Sequence, residues 1–342
     1  MKSRCVLSMM LLALGTAPAG AQDFEKVGTP VPISPTGIPY TVPAAARGAG
    51  WTIVSPGARL GLAGSNPAFF RGQGMAEVAL DALWEYQDVG SSLDFDRYES
   101  RIASMAGKID LFRVSVGLAY QRPYSSEYRL PRFVTDQTIE EGLEVWLGGA
   151  AVEITPTLIL AGSLAWQRAE VGPRSREAYQ ATVGLALEFE SSTLALAIKS
   201  EPFGGDADEL LAPFWIQLDG RVAAGPSWTV GARLGTGWWN DTRNDALRSP
   251  IDAGVGVGWQ VHRLIQVLAG VHSINPRRED AAIPLAGTDY TDLLDLEQGT
   301  FLDAGIVFGV TGLQAALSVE DSHVFDAEVP GTWVSLSIHA GY

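Results

Sequence analysis

From Met75 to the terminal Tyr342, apolar residues fall on every second position in one segment after another. Val78, Leu80, Ala82, Trp84 and Tyr86 alternate with Glu77, Ala79, Asp81, Leu83 and Glu85. A period of two is the signature of a strand with one apolar and one more polar face. Phe112 to Tyr120 repeats it, against Arg113, Ser115, Gly117, Ala119 and Gln121, and so do Leu158 to Trp166 and Leu194 to Ile198. Leu143, Val145 and Leu147 stand opposite Glu144 and Trp146. Tyr179 to Phe189 is the clearest ladder, with Gln180, Thr182, Gly184, Ala186 and Glu188 between its members. The second half continues with Phe214 to Leu218, Trp228 to Leu234, Ile251 to Trp259, Ile265 to Val271, Leu302 to Val310, Leu313 to Val319 and Val334 to Tyr342. The pattern predicts about 14 strands, most near the ~9–11 residues that a tilted strand needs to cross a bilayer.

The connections alternate in length. Lys108-Ile109-Asp110, Ile154-Thr155-Pro156, Glu190-Ser191-Ser192, Ala224-Gly225-Pro226, His262-Arg263 and Thr311-Gly312 read as tight turns. Between them come long polar stretches, Arg122 to Gln137, Glu201 to Leu211 and Ser273 to Gln298. Short turns on one side and long loops on the other mark a membrane barrel, whereas a soluble sandwich has no reason to sort its loops by side. In hydrocarbon every backbone N–H and C=O must be paired within the protein, and among β-structures only a closed barrel does so. The expected fold is therefore all-β: a transmembrane antiparallel β-barrel. Its lumen should hold the polar set Glu77, Asp81, Glu85, Arg113, Glu144, Asp219, Arg221 and Asp303, since charges on the lipid face cost up to about 2–4 kcal/mol each. Trp84, Tyr86, Tyr120, Trp166, Phe189 and Trp259, near ladder ends, fit interfacial girdles in contact with outer-membrane lipids.

Ahead of the ladders the chain changes character. Met1-Lys2-Ser3-Arg4, an apolar run from Val6 and the small-x-small Ala19-Gly20-Ala21 read as a secretory signal, residues 1–21, cleaved to leave Gln22 first. The apolar run is too short for a spanning helix, and no later segment offers about 18 uninterrupted apolar residues. The only cysteine is Cys5, so the mature chain has no thiol or disulfide chemistry. With 24 basic against 39 acidic residues, net −15, the charge has the wrong sign for nucleic acid.

Asp23 to Val42 carries Pro30, Pro32, Pro35, Gly37 and Pro39, and proline donates nothing to a sheet ladder. Then come Arg47-Gly48-Ala49-Gly50 and Asn66-Pro67-Ala68. Here the chain resembles the FadL/TodX-type transporter family of outer-membrane proteins, in which a glycine-rich N-terminal segment and an Asn-Pro-Ala motif precede a 14-stranded barrel. The resemblance implies that residues 22–74 form a hatch inside a barrel of residues 75–342. Asn66 would bond hatch backbone to wall, and Pro67 would fix the chain direction. It implies uptake of small hydrophobic molecules, such as long-chain fatty acids, from the long-loop side, with release by hatch movement or through a gap in the wall. The last strand, ending at Tyr342, resembles the signal read by barrel-insertion machinery. PorV-like barrels that serve secretion by binding proteins resemble the same family, and a general porin is a third reading.

No catalytic, cofactor or metal site is expected. Asp252 to Gly258 places glycine at every second position inside a strand, which suits small lumenal residues beside a hatch better than a phosphate loop. The histidines, His262, His272, His323 and His339, show no helical metal spacing. Asp321-Ser322-His323 are chain neighbours in a loop, unlike a triad assembled in space. Glu279, Asp280, Asp295 and Glu297 lack calcium-loop spacing. Intact-mass measurement of the membrane-extracted protein should give a chain beginning at Gln22, and a mass that includes Met1 to Ala21 contradicts the signal reading.

Overall fold

The computed structural model describes residues 31–32, 40–55, 57–72, 74–88, 96–129, 138–171, 174–207, 210–211, 214–241, 246–248, 251–275, 299–310, 312–323 and 331–342. The expected signal, most of the proline-rich stretch and the acidic residues 279–297 lie outside them.

Fourteen long strands form the wall. They are β1 (Ala76–Asp88), β2 (Asp96–Leu111), β3 (Val114–Arg129), β4 (Thr138–Thr155), β5 (Leu158–Val171), β6 (Arg174–Glu188) and β7 (Ser192–Lys199) in the first half. The second half has β8 (Phe214–Ala223), β9 (Trp228–Asp241), β10 (Ile251–His262), β11 (Ile265–Asn275), β12 (Gly299–Val310), β13 (Leu313–Asp321) and β14 (Gly331–Gly341). Each pairs antiparallel with its chain neighbours, and β14 pairs with β1, from Gly331 opposite Gln87 to Gly341 opposite Glu77, so the sheet closes. Minor pairings accompany it, including a parallel one between Val31–Pro32 and Leu210–Leu211.

Alternation decides which way each side chain points. In β1, Val78 and Leu80 face outward while Glu77, Ala79, Asp81, Leu83 and Glu85 are buried. The outward ladders make a continuous apolar belt: Leu118 is 71 %, Val255 59 % and Val78 58 % exposed. An apolar belt of this extent needs hydrocarbon around it. No helix among the described residues is long and apolar enough to cross a membrane. At the short-turn end the belt is bounded by Phe112, Phe189, Phe308 and the stacked pair Trp228–Trp259. At the other end Tyr120, Trp146, Trp166 and Tyr179 stand directly opposite one another across β3–β6. From Phe112 to Tyr120 a strand rising ~3.3 Å per residue and tilted by ~40° climbs roughly 20 Å, close to the ~25 Å apolar band of outer-membrane barrels.

Two expectations are corrected. The segment Lys108-Ile109-Asp110 is wall, because the alternation runs on with Ile109 and Leu111 outward and Lys108 and Asp110 inward. The turn falls at Phe112-Arg113, where Phe112 takes φ 63°. Arg113 is therefore exposed at the turn, not in the lumen. In β4 the parity is inverted: Leu143, Val145 and Leu147 are buried inside and Trp146 is 52 % exposed outside. Glu144 thus lies on the outer face, opposite Arg168 and just beyond the aromatic row, where it accepts a hydrogen bond from Tyr120 Oη at 3.2 Å. A carboxylate is tolerated there because the rim lies at the polar interface.

Residues 40–55 and 57–72 run inside the barrel and are almost wholly buried. They form two single-turn helices, α1 (Ala44–Arg47) and α2 (Ala58–Gly61), and 3-10 turns at Leu62–Gly64 and Pro67–Phe70. Val116 sits midway up the outward ladder of β3. Val116→Arg should lower stability in lipid vesicles by about 2–4 kcal/mol in urea titrations. An unchanged midpoint contradicts the assignment of this face to lipid.

Candidate functional site

The lumen and the chain folded into it form one interface, docked at two places by backbone contact. At the first, the turn Gly48–Gly50 lies against β10–β12. A Cβ at Gly254 would stand 2.0 Å from Gly50 O, one at Gly256 2.0 Å from Ala49 O, and one at Gly270 2.2 Å from Gly50 N. Gly254 and Gly256, two of the alternate glycines of Asp252 to Gly258, thus help form the hollow into which this turn fits, while Gly258 makes room for Gln266. Gly50 itself has φ +62°, a conformation that glycine adopts without cost.

The second dock is the Asn-Pro-Ala motif. Asn66 Oδ1 accepts from Ala68 N at 2.9 Å, capping the 3-10 turn, with Pro67 at its first position. Asn66 Nδ2 donates to Leu196 O of β7 at 3.2 Å. Ala68 is fully buried, and Gly184 leaves room for Asn66: a Cβ there would lie 2.2 Å from Asn66 Oδ1. Phe70 fills the hollow left by Gly117 and Gly149.

Buried charge ties the same chain to the wall. Arg233 of β9 is central: it donates from Nε to Asp252 Oδ2 at 2.9 Å, from Nη1 to Trp51 O at 3.2 Å, and from Nη2 to Gln217 Oε1 at 3.0 Å and to Tyr40 Oη. Tyr40 donates in turn to Asp252 Oδ2 at 3.0 Å. Burial pushes the Tyr40 phenol well above its ordinary pKa, with the Arg233 cation opposing, so it remains a donor. Asp219 accepts from Gln217 at 2.5 Å beside this group. Lys199 donates to Gly64 O at 3.1 Å. A second cluster joins Arg47 to Glu320 at 2.5 Å, and Trp51 Nε1 donates to the other oxygen of Glu320 at 2.5 Å. His272 stacks between Trp51 and Phe301 and bonds Asp303 at 2.8 Å.

The floor is closed by ions. Arg71 pairs with Asp110 at 3.2 Å and Glu153 at 2.8 Å. Lys108 lies 3.0 Å from Glu77 and 2.9 Å from Asp110, and Glu77 meets His339 at 2.9 Å. Near the long-loop side Glu85 pairs with Arg101 at 2.6 Å. Asp81 accepts from Ser104 at 2.5 Å, and Arg221 lies half-buried inside, near the Arg59–Glu188 pair.

Glu77, Asp81, Glu85, Asp219, Arg221 and Asp303 therefore lie on the inner face; Arg113 and Glu144 do not. The sequence assigns no anchoring role to Tyr40, Arg47, Trp51, Arg233, His272 or Glu320, although Arg47 stands in the Arg47-Gly48-Ala49-Gly50 run and His272 among the histidines weighed for metal spacing. Arg233 and Glu320 sit at polar positions of ladders already identified, so parity alone could have found them. Their partners, far away in the chain, carried no signal.

His272, Asp303 and Glu320 place potential metal ligands within 4.8 Å of one another, although no sequence spacing marked them. The Arg47 guanidinium and the Trp51 indole occupy both oxygens of Glu320, so the cluster is built as an ion-paired anchor for the inner chain. Ser322 Oγ donates to Gly331 O and accepts from Gly331 N, which leaves the Asp321-Ser322-His323 run without an assembled nucleophile.

No family model matches the sequence, and no curated protein matches it. Among solved structures, a FadL homologue of Pseudomonas aeruginosa is similar at 12 % identity, with 92 % of this chain and 99 % of that one covered and a TM-score of 0.64. The Ralstonia pickettii toluene transporter TbuX is similar at 11 % identity over 88 % of this chain and 97 % of its own, TM-score 0.60. The Pseudomonas putida toluene transporter TodX is similar at 12 % over 88 % and 98 %, TM-score 0.60. At these identities the likeness is one of fold. Replacing Arg233 strands Asp252 and Tyr40 in the interior, so Arg233→Met should cost about 3–5 kcal/mol in denaturant unfolding. A loss under about 1 kcal/mol contradicts its central place.

Proposed function

We propose that this chain, which has the FadL/TodX-type fold, is an outer-membrane channel for small hydrophobic molecules, with residues 22–74 as its hatch. The observation that carries the reading is the filled lumen: residues 40–55 and 57–72 occupy the space that a general porin leaves to water. Such a barrel passes nothing freely, so its cargo must bind and displace or bypass the hatch.

The inner wall offers apolar surface to a cargo of that class. Leu83, Leu143, Val145, Trp215, Phe301 and Trp333 are all buried lumenal residues, placed toward the long-loop side. Apolar pockets with few polar groups are the usual form of small-molecule sites. All six are covered as the chain stands, so a hydrophobic molecule arriving between the loops would settle against them only as the cover over them shifts. The similar solved structures named as toluene transporters make small aromatic hydrocarbons reasonable cargo alongside fatty acids.

Release requires a change in hatch or wall. The wall has an irregularity where the β3–β4 register shifts between Gln121 and Tyr124. There Arg101 donates to Arg122 O at 3.1 Å and Pro123 O at 2.9 Å, so a side chain replaces ladder bonds. Proline at such a place is a feature of bulges. This favours a wall-side exit over withdrawal of a hatch held by buried ion pairs.

Native mass spectrometry of the detergent-extracted barrel should find a bound apolar molecule, and deleting residues 22–64 should abolish it. An empty barrel that instead retains a protein partner would overturn the transport reading in favour of a secretion-serving interaction barrel.

A further inference from the structure

Five arginines inside the barrel, Arg47, Arg59, Arg71, Arg101 and Arg233, each meet a carboxylate. Arg221 of β8 meets none among the described residues, and its buried Nε has no hydrogen-bond partner. It stands on the inner face, two residues before the short-turn end of its strand. Directly opposite it is Thr193 of β7, and directly opposite Thr193 is Glu188 of β6. The three side chains therefore share one level of the lumenal wall, beside the short-turn mouth.

The nearby carboxylates are already committed. Both oxygens of Glu188 are taken, Oε1 by Arg59 Nη2 of α2 and Oε2 by Thr193 Oγ1 at 3.2 Å. Asp219, the next lumenal position up β8, accepts from Gln217 Nε2 at 2.5 Å. On the β9 side Arg221 faces Gly231, where a Cβ would lie 2.6 Å from Thr52 Oγ1 and 2.9 Å from Val54 Cγ1. The inner chain thus brings a hydroxyl and methyl groups to this place but no anion. Arg59, whose buried Nε also lacks a partner, is near enough to repel Arg221. A guanidinium keeps its charge throughout the accessible pH range. A partly desolvated cation beside a like charge is disfavoured until an anion joins it. In a chain of net charge −15, two cations here face one carboxylate.

We propose that Arg221, with Arg59 beside it, is a binding site for one carboxylate anion, entered from the short-turn side. Exposure gives the route: the side chains of Glu188 and Arg59 are 24 % and 12 % exposed, and Arg221 is half-buried. A solute from that side reaches the guanidinium without moving the inner chain. The single missing charge sets the valence, and the planar fork of an arginine fits the two oxygens of a carboxylate. The anion is a small organic acid or the head of an amphiphile with an apolar tail, since both present the same group. The site does not rest on the transport reading, because it is built from the wall and the docked inner chain alone.

Phenylglyoxal, which modifies free guanidinium groups, tests this on the folded full-length barrel, with peptide mapping by mass spectrometry giving a rate for each arginine. Arg221 should react about 10-fold faster than the buried, ion-paired Arg233, which reacts only through local opening. Octanoate should slow the Arg221 reaction about 5-fold as it fills the site, and octanol at the same concentration should leave it unchanged. Slowing by acetate as well assigns the site to small organic acids; slowing by octanoate alone assigns it to an amphiphile. Thermal unfolding gives a second measurement: octanoate should raise the midpoint of the unmodified protein above that of octanol-treated protein, and Arg221→Gln should remove the difference. An Arg221 rate no faster than that of Arg233 overturns the site. So does equal slowing by octanol, or slowing by neither carboxylate, or an octanoate shift that survives in Arg221→Gln.

Discussion

Closure of the backbone hydrogen-bond ladder between β14 and β1 is the interaction on which the rest depends. Hydrocarbon supplies no partner for an N–H or C=O, so a sheet that enters it must have no edge. Eleven directly opposed pairs, from Gly331–Gln87 to Gly341–Glu77, remove the edge. Once the sheet is closed, alternation has only two destinations, lipid and lumen, and every substitution along a strand is judged by which it faces. The apolar belt, its aromatic borders and the buried carboxylates follow from this one requirement.

A closed wall of this circumference encloses more space than its own side chains fill, and here the chain fills it with itself. The filling is selective. Glycines on β10, β11 and β12 accept the backbone of Gly48–Gly50, and Gly184 accepts Asn66, so two stretches dock by shape. Arg233 and Glu320 fix the first of these stretches by charge, and Lys199 holds Gly64 O beside the second. Between the docks, alanine and glycine lie against serine and aspartate, and there the Ala44 backbone, Ser104 and Ser337 hydrogen-bond the Asp81 carboxylate.

The barrel was legible because its rule is local. Period two in β1, β6 and β10 names the outward residues one by one, and the loop asymmetry names the two ends. The rule failed where a local cue was misweighted. Lys108 and Asp110 looked like turn residues, yet both point into the lumen, where charge is at home. In β4 the charged residue marks the rim, and three aliphatic residues face inward. The inner site was less legible. Asn66-Pro67-Ala68 and the alternate glycines were visible as motifs. The anchoring roles of Tyr40, Arg47 and Trp51 were not, since their partners stand about 180 to 270 residues away in the chain and are brought near only by barrel closure.

The central claim is that an apolar-belted barrel carries its own plug, so that passage depends on binding. Single-channel recording of the purified full-length protein in planar bilayers tests this most directly. The account predicts no sustained open state, because residues 40–55 and 57–72 block the lumen and are held by buried ion pairs. A steady ohmic conductance of the size expected for an open 14-stranded pore would contradict it.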